Sequence, residues 1–178
     1  RDLLLSRPDA RIAALVRVAE LLRASSADIV RANAIDVANA VAQGKNQAFI
    51  DRLVLDEPRI DAMAQSVNEV ACLPEVLGTP LSESVRPNGL RVRRVRVPIG
   101  VVMMVYESRP NVTIEAASLC LKAGNAVILR GGSEALETNR ALAAIFRRAL
   151  VEAGLPESAM QLVQTTDREV IGQLLLQH

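Results

Sequence analysis

Ala123-Gly124-Asn125-Ala126-Val127-Ile128-Leu129-Arg130-Gly131-Gly132-Ser133-Glu134 runs a helix end, a short apolar strand and a glycine turn together without a spacer. Gly124 supplies the left-handed residue that commonly ends a helix. Ala126–Leu129 is uninterrupted in its apolar character, as a strand buried in a parallel sheet requires. Downstream, residues from about Glu134 to Glu152 have the 3.6-residue periodicity of an amphipathic helix, ended near Gly154 with Pro156 beyond it. Met160–Gln164 reads as another strand, and Thr166-Asp167-Arg168-Glu169 has the capping-box pattern that opens a helix toward His178. Upstream, Ile99–Tyr106 is a continuous apolar strand, and Asn111 stands where it would cap a helix through Ala123. This β-α-β-α-β-α order predicts an α/β fold with an incomplete Rossmann-like parallel sheet, covered by helices on both faces. Three strands are few for such a sheet, and its last strand would carry a naked hydrophobic edge. The reading therefore expects further strands from residues beyond His178 or from another chain.

The segment before the sheet is of a different kind. Residues 8–24 place Ile12, Leu15, Val16, Val18, Ala19 and Leu22 on one helical face. Ser25 or Ser26 would cap a second helix through Ala42, stopped at Gly44, and Asp56 would cap a third with Pro58 in its first turn. Pro74, Gly78 and Pro80 mark a linker. Leu90–Val97 alternates like a strand with one wet face, and the doubled Arg93-Arg94 breaks the phase, which suggests a bulge or turn within that strand. The organisation expected is N-terminal helices over 1–85, a β-arm over 86–97 and a cofactor-binding segment over 98–178.

Composition removes several classes. The net charge is +1 and the aromatics are only Phe49, Phe146 and Tyr106, so neither a basic footprint nor a stacking platform for nucleic acid is available. The arginines of 91–96 have no interleaved aromatics, which leaves them the solvated face of a strand or an oligomer contact. Two cysteines, Cys72 and Cys120, make no disulfide framework, and the lone histidine is His178, so no His-based metal site or triad is expected. The longest apolar run, Val97–Tyr106, is short of the roughly 20 residues that cross a bilayer. A cytoplasmic protein without nucleic-acid or membrane partners is the expectation.

Two loops can carry chemistry, each following an apolar strand. In parallel sheets ligands bind beyond the carboxyl ends of the strands. In Arg130-Gly131-Gly132-Ser133-Glu134 the glycines permit close backbone approach and the helix N-terminus favours anions. Arg130 suits a phosphate, and Ser133 and Glu134 suit ribose hydroxyls. A plain tight turn is the competing reading. In Glu107-Ser108-Arg109-Pro110-Asn111, a carboxylate, a guanidinium and an amide would share a cleft; alternatively Glu107 only pairs with Arg109 and Asn111 only caps its helix.

Tyr106-Glu107-Ser108-Arg109-Pro110-Asn111-Val112-Thr113, the run Ala117–Glu134, and the later Gly154-Leu155-Pro156 and Thr165–Glu169, resemble the gamma-glutamyl phosphate reductases of the aldehyde dehydrogenase superfamily. The resemblance is specific from Pro98 onward and weaker through the N-terminal helices. It implies the aldehyde dehydrogenase fold, NADPH as cofactor, and a β-arm used for homo-oligomerisation. It also implies reduction of L-glutamate 5-phosphate to the 5-semialdehyde, with loss of phosphate, in proline biosynthesis. In that family a cysteine thiolate attacks the acyl phosphate, and its position would fall beyond residue 178. The resemblance places Arg130, Gly131, Gly132, Ser133 and Glu134 in the adenosine-ribose loop, Glu107 and Arg109 on the substrate, and Asn111 near the oxyanion or substrate. Two other readings are a different enzyme of the superfamily and a nucleotide-binding or assembly module without catalysis. The former should show a Pro-Trp-Asn turn and a Lys-Pro-Ser-Glu loop, and this chain has neither.

Overall fold

The computed structural model describes residues 6–165 together with Leu3, Asp167, Glu169, Gly172 and Leu176. Thr166 and Arg168 of the expected capping box, and most of the helix expected after it, lie outside the described residues. Four helices come first: α1 (Pro8–Ala24), α2 (Ser26–Ala42), α3 (Gln47–Leu53) and α4 (Glu57–Cys72). A hairpin of β1 (Pro80–Val85) and β2 (Arg91–Val95) follows. The alternating part is β3 (Val101–Val105), α5 (Asn111–Lys122), β4 (Ala126–Arg130), α6 (Leu136–Glu152) and β5 (Met160–Leu162), with a short 3-10 turn at Ser133–Ala135.

The second sheet is parallel, in the order β3-β4-β5, with Val102 beside Val127 and Val127 beside Met160. Val127, Leu129, Met160 and Leu162 are buried beneath α5 and α6, whereas Gln161 between the last two is exposed. Two-residue alternation turns the intervening side chains to the opposite face. Val101 and Val105, which share a register with Ala126 and Arg130, remain 62% and 49% exposed. The expectation of helices on both faces is therefore corrected: among the described residues they cover one. Among the described residues β3 and β5 are both edge strands, as expected of the last strand, and β3 is the one whose apolar side chains are exposed.

One core joins the helical segment to the sheet. Leu15, Leu22, Ile60, Val67, Ile114, Leu129, Leu142 and Phe146 pack in a single cluster, so the first four helices and the βαβ units share their hydrophobic stabilisation. Gly44, Gly124 and Gly154 all sit at positive φ just after helices, where the sequence asked for left-handed residues.

Helix capping differs in detail from the expectation. Asp56 caps α4 as expected, accepting from the Arg59 N–H at 2.9 Å. Ser25 holds the N-cap position of α2 without a side-chain bond, and Pro110, not Asn111, is the N-cap of α5. Helix α3 was not expected; Asn46 caps it by accepting from the Phe49 N–H at 2.9 Å.

The N-terminus of α6 is capped from another helix. Asp36, on α2, accepts from the Glu137 N–H at 3.2 Å, the Thr138 N–H at 2.8 Å and the Thr138 hydroxyl at 2.6 Å. Asn33, one turn earlier, donates to Thr138 Oγ1 and to the Leu53 carbonyl, and accepts from the Leu55 N–H at 2.7 Å. All three polar residues are buried. Burial pushes the Asp36 carboxyl above its usual range, opposed by the hydrogen bonds from Thr138 and Glu137. Two N–H groups at this helix N-terminus are thus taken by the chain's own carboxylate.

The hairpin starts at Pro80, six residues ahead of the arm expected at 86. Its strands are exposed along both faces. Its irregularity lies on β1: Pro80 pairs with Val95 and Ser82 with Arg94, so the unmatched residue is Leu81, whereas Arg93 and Arg94 pair in regular register. The phase break read at Arg93-Arg94 is met by an extra residue in the partner strand. Glu83 draws Arg93 to 2.9 Å and Arg91 to 3.9 Å across the ribbon.

Asp36→Ala should lower the unfolding free energy by about 3 kcal/mol, since it uncaps α6 and strands the buried Thr138 hydroxyl. Asp36→Asn should cost less than half of that, because one acceptor oxygen remains. Urea denaturation followed by circular dichroism reads both, and an unchanged midpoint for Asp36→Ala would contradict the role given to it.

Candidate functional site

The two strand-end loops are held against each other by side chains from both. After β3 the ladder continues one step, with the Tyr106 N–H donating to the Arg130 carbonyl at 3.0 Å. The Tyr106 hydroxyl meets Thr113 Oγ1 at 2.6 Å, and Thr113 donates to Asn139 Oδ1 at 2.8 Å. This relay of buried polar groups links the end of β3, the first turn of α5 and the first turn of α6. Burial raises the Tyr106 phenol above its ordinary value despite the Thr113 bond, so it stays protonated and serves as a structural donor.

The glycine pair is required by this packing. A Cβ at Gly131 would fall on the Asn139 amide and 3.0 Å from the Tyr106 ring; at Gly132 it would fall on Ser108 Oγ and 2.9 Å from the Ser108 nitrogen. Close approach is thus made by the neighbouring loop of the same chain. Both glycines act through backbone room rather than backbone conformation, since neither has positive φ.

Glu134 is the most strongly held charge in this region. Lys45, from the loop after α2, donates to its Oε1 at 2.7 Å, and Ser108 donates to its Oε2 at 2.8 Å, with Ser133 Oγ at 3.2 Å. The Lys45 bond foremost, helped by Ser108 and resisted by partial burial, holds the carboxyl down from the ordinary 4.5 to about 2. Lys45 also lies over the Phe49 ring, 5.0 Å from its centre. Arg130 is 9% exposed at the end of β4 and directs one guanidinium N–H to the Gly131 carbonyl at 3.2 Å.

Two clefts open beside these loops. The smaller, about 370 Å³, is bordered by Glu107, Ser108, Arg109, Gly132 and Glu134 of the sequence-identified loops, with Phe49 and Arg52 opposite. The larger, about 550 Å³, lies between α3, α4 and the start of α5, and contains Asn111. Arg109 and Arg52 border both. Glu107 and Arg109 lie 3.8 Å apart in a solvated pair, and Asn111 donates its amide to Glu115 at 2.9 Å. Arg130, Gly131 and Ser133 line neither cleft.

The sequence reading did not single out Lys45, Arg52 or the bond from Ser108 to Glu134. Nothing local distinguishes Lys45 or Arg52 from other surface cations, because their importance comes from a packing that joins residues far apart in sequence. Cys120 is partly buried and burial pushes its thiol up, which disfavours a thiolate. Cys72 is exposed at the end of α4. Among the described residues no cluster of three metal-binding side chains occurs, and no helix is long and apolar enough to cross a membrane.

The helical lead-in, the β-ribbon and the parallel sheet with paired loops at its strand ends define a class. The aldehyde dehydrogenase family profile matches residues 5–178, and the chain belongs to that family. Within it the chain is similar to gamma-glutamyl phosphate reductases. It is 51% identical over 163 residues to that of Parvibaculum lavamentivorans, covering 92% of this chain and 38% of the relative. It is 52% identical over 166 residues to that of Opitutus terrae, covering 93% and 39%. The crystal structure of gamma-glutamyl phosphate reductase from Thermotoga maritima superposes with a TM-score of 0.95 at 40% identity, covering 97% of this chain and 42% of that one. The chain thus spans about two fifths of the length of the relatives it matches.

The Glu134 titration checks the loop geometry directly. Carbon-detected NMR should find its midpoint near 2, and Lys45→Met should return it toward the ordinary carboxylate range. Because the folded-state value is the lower one, the stability contributed by Glu134 is present above about 4.5 and fades as pH falls toward 2. Lys45→Met should remove that acid-side loss, and a midpoint unmoved by the substitution would refute the assignment of Lys45 as its cause.

Proposed function

We propose that this chain is the cofactor-side portion of an NADPH-dependent reductase that converts L-glutamate 5-phosphate to L-glutamate 5-semialdehyde in proline biosynthesis. The carrying observation is the Ser108–Glu134 bond over Gly132, which joins the two strand-end loops into one lip facing a cleft that also holds Glu107 and Arg109. The likeness to gamma-glutamyl phosphate reductases supports the reaction and the substrate.

The residues of the second loop fit a phosphorylated adenosine ribose. Arg130 supplies a permanent cation suited to a 2′-phosphate, and Lys45 adds a second beside Glu134. Glu134, ionised at neutral pH, is an acceptor for ribose hydroxyls, and Ser133 is exposed next to it. Gly131 and Gly132 keep the loop backbone low against Tyr106 and Ser108. When bound, NADPH supplies the hydride. On the substrate side Arg109 attracts the anionic acyl phosphate, Glu107 orients Arg109, and the Asn111 amide supplies a polar donor at the first residue of α5.

Acyl transfer of this type needs a thiolate. Cys120 is disfavoured by burial, so the nucleophile is assigned to neither Cys120 nor the helix-end Cys72 and belongs outside residues 1–178. The exposed hairpin presents Leu81, Val85, Val92 and Val95 and serves as the arm that pairs with a second copy. A cytoplasmic setting accords with two unpaired thiols.

Cofactor fluorescence should show the full chain binding NADPH in preference to NADH, and Arg130→Gln should reduce that preference by roughly tenfold, as expected for one lost charge-assisted contact. Equal affinity for the two cofactors before and after the substitution would sink the NADPH reading. Cys120→Ala should leave any acyl-phosphate reduction unchanged; its loss would return the nucleophile to Cys120.

A further inference from the structure

The larger cleft contains charges that the proposed function leaves unused, among them Arg52 and Glu115. Arg52 and Arg109 stand at the edge it shares with the smaller cleft, Glu115 lies on its α5 side, and Val54, Leu55, Ala62 and Met63 provide an apolar wall. Arg59 also lines it, but donates to the carbonyls of Asp51 at 2.7 Å and Val54 at 2.6 Å, where it fastens the end of α3. Arg52, in the last turn of α3, is exposed and has no ion-pair partner among the described residues. Glu115 accepts from Asn111 through Oε1 at 2.9 Å, and its Oε2 makes no hydrogen bond among the described residues.

We infer that the larger cleft recognises the α-amino-acid end of the substrate, with the Arg52 guanidinium taking the α-carboxylate and Glu115 taking the α-ammonium. This rests on the reading of the substrate as an acyl phosphate of an acidic amino acid. A guanidinium presents a planar fork that matches a carboxylate, and a carboxylate with an unused oxygen matches an ammonium. The apolar residues Val54, Leu55, Ala62 and Met63 suit the methylenes that lead from the α-carbon to the acyl phosphate. Arg109, at the junction, then faces the phosphate side in the smaller cleft. The volume of about 550 Å³ is within the range usual for small-molecule sites, and its opposed charges give a zwitterion one orientation.

Three probes separate the two contacts: L-glutamate, 4-aminobutyrate, which lacks the α-carboxylate, and glutarate, which lacks the ammonium. NMR titration of the full chain should rank L-glutamate first. Arg52→Gln should weaken L-glutamate by roughly 10- to 100-fold while leaving 4-aminobutyrate unchanged. Glu115→Gln should weaken L-glutamate by a similar factor and leave glutarate unchanged. Arg52→Lys should restore part of the loss, which a merely structural role at the end of α3 would not require. Equal affinity for the three probes, or an Arg52→Gln variant that weakens all of them alike, would overturn the assignment. The proposed reaction fails separately: it falls if the whole enzyme that contains this chain, with its nucleophilic cysteine, does not reduce glutamyl phosphate with NADPH, whatever the ranking of the three probes.

Discussion

A buried carboxylate at the start of α6 is the constraint on which the rest of the molecule hangs. Asp36 satisfies two amide N–H groups and a hydroxyl that no local side chain reaches, and it does so from α2. The helix that follows the glycine loop is therefore oriented by the N-terminal helical segment. Asn33 extends the same network to the turn between α3 and α4. Through these bonds the N-terminal helical segment is fastened both to the start of α6 and to the turn between α3 and α4.

The second consequence is electrostatic. In many nucleotide-binding folds the helix after a glycine loop offers its free N–H groups to a phosphate. Here two of those groups, on Glu137 and Thr138, are already bonded to Asp36, and the charges beside the loop are side chains: Arg130, Lys45 and the ionised Glu134. Lys45 and Ser108 draw that carboxylate from opposite sides. Two glycines are needed because the supporting loop is packed directly against them.

Much of the fold was legible in the sequence because it is written in local signals. The periodicity of Leu136–Glu152, the left-handed glycines at 124 and 154 and the apolar run at Ala126–Leu129 each determine an element without reference to the rest of the chain. The first strand of the hairpin was hidden by Pro80 and by Ser82, Glu83 and Ser84, which are polar because both faces of the ribbon meet solvent. The Asp36 network had a faint signal: Ile29, Asn33, Asp36 and Ala40 form a single buried stripe in which two members are polar. Such residues on a core-facing stripe are worth questioning, since burial without partners would be costly. At the candidate site, the loop residues were visible as motifs, whereas Arg52 and Lys45 become notable only once α3 and its preceding loop are packed alongside.

The crowding at Gly131 and Gly132 also bears on how such a protein can change over generations. Two consecutive positions that admit no side chain are closed to ordinary mutational exploration, because any substitution first collides with Tyr106, Asn139 or Ser108. Change that the packing tolerates is then left to flanking positions such as the exposed Ser133. The loop backbone behaves as an inherited frame, and adaptation proceeds by redecorating its margins.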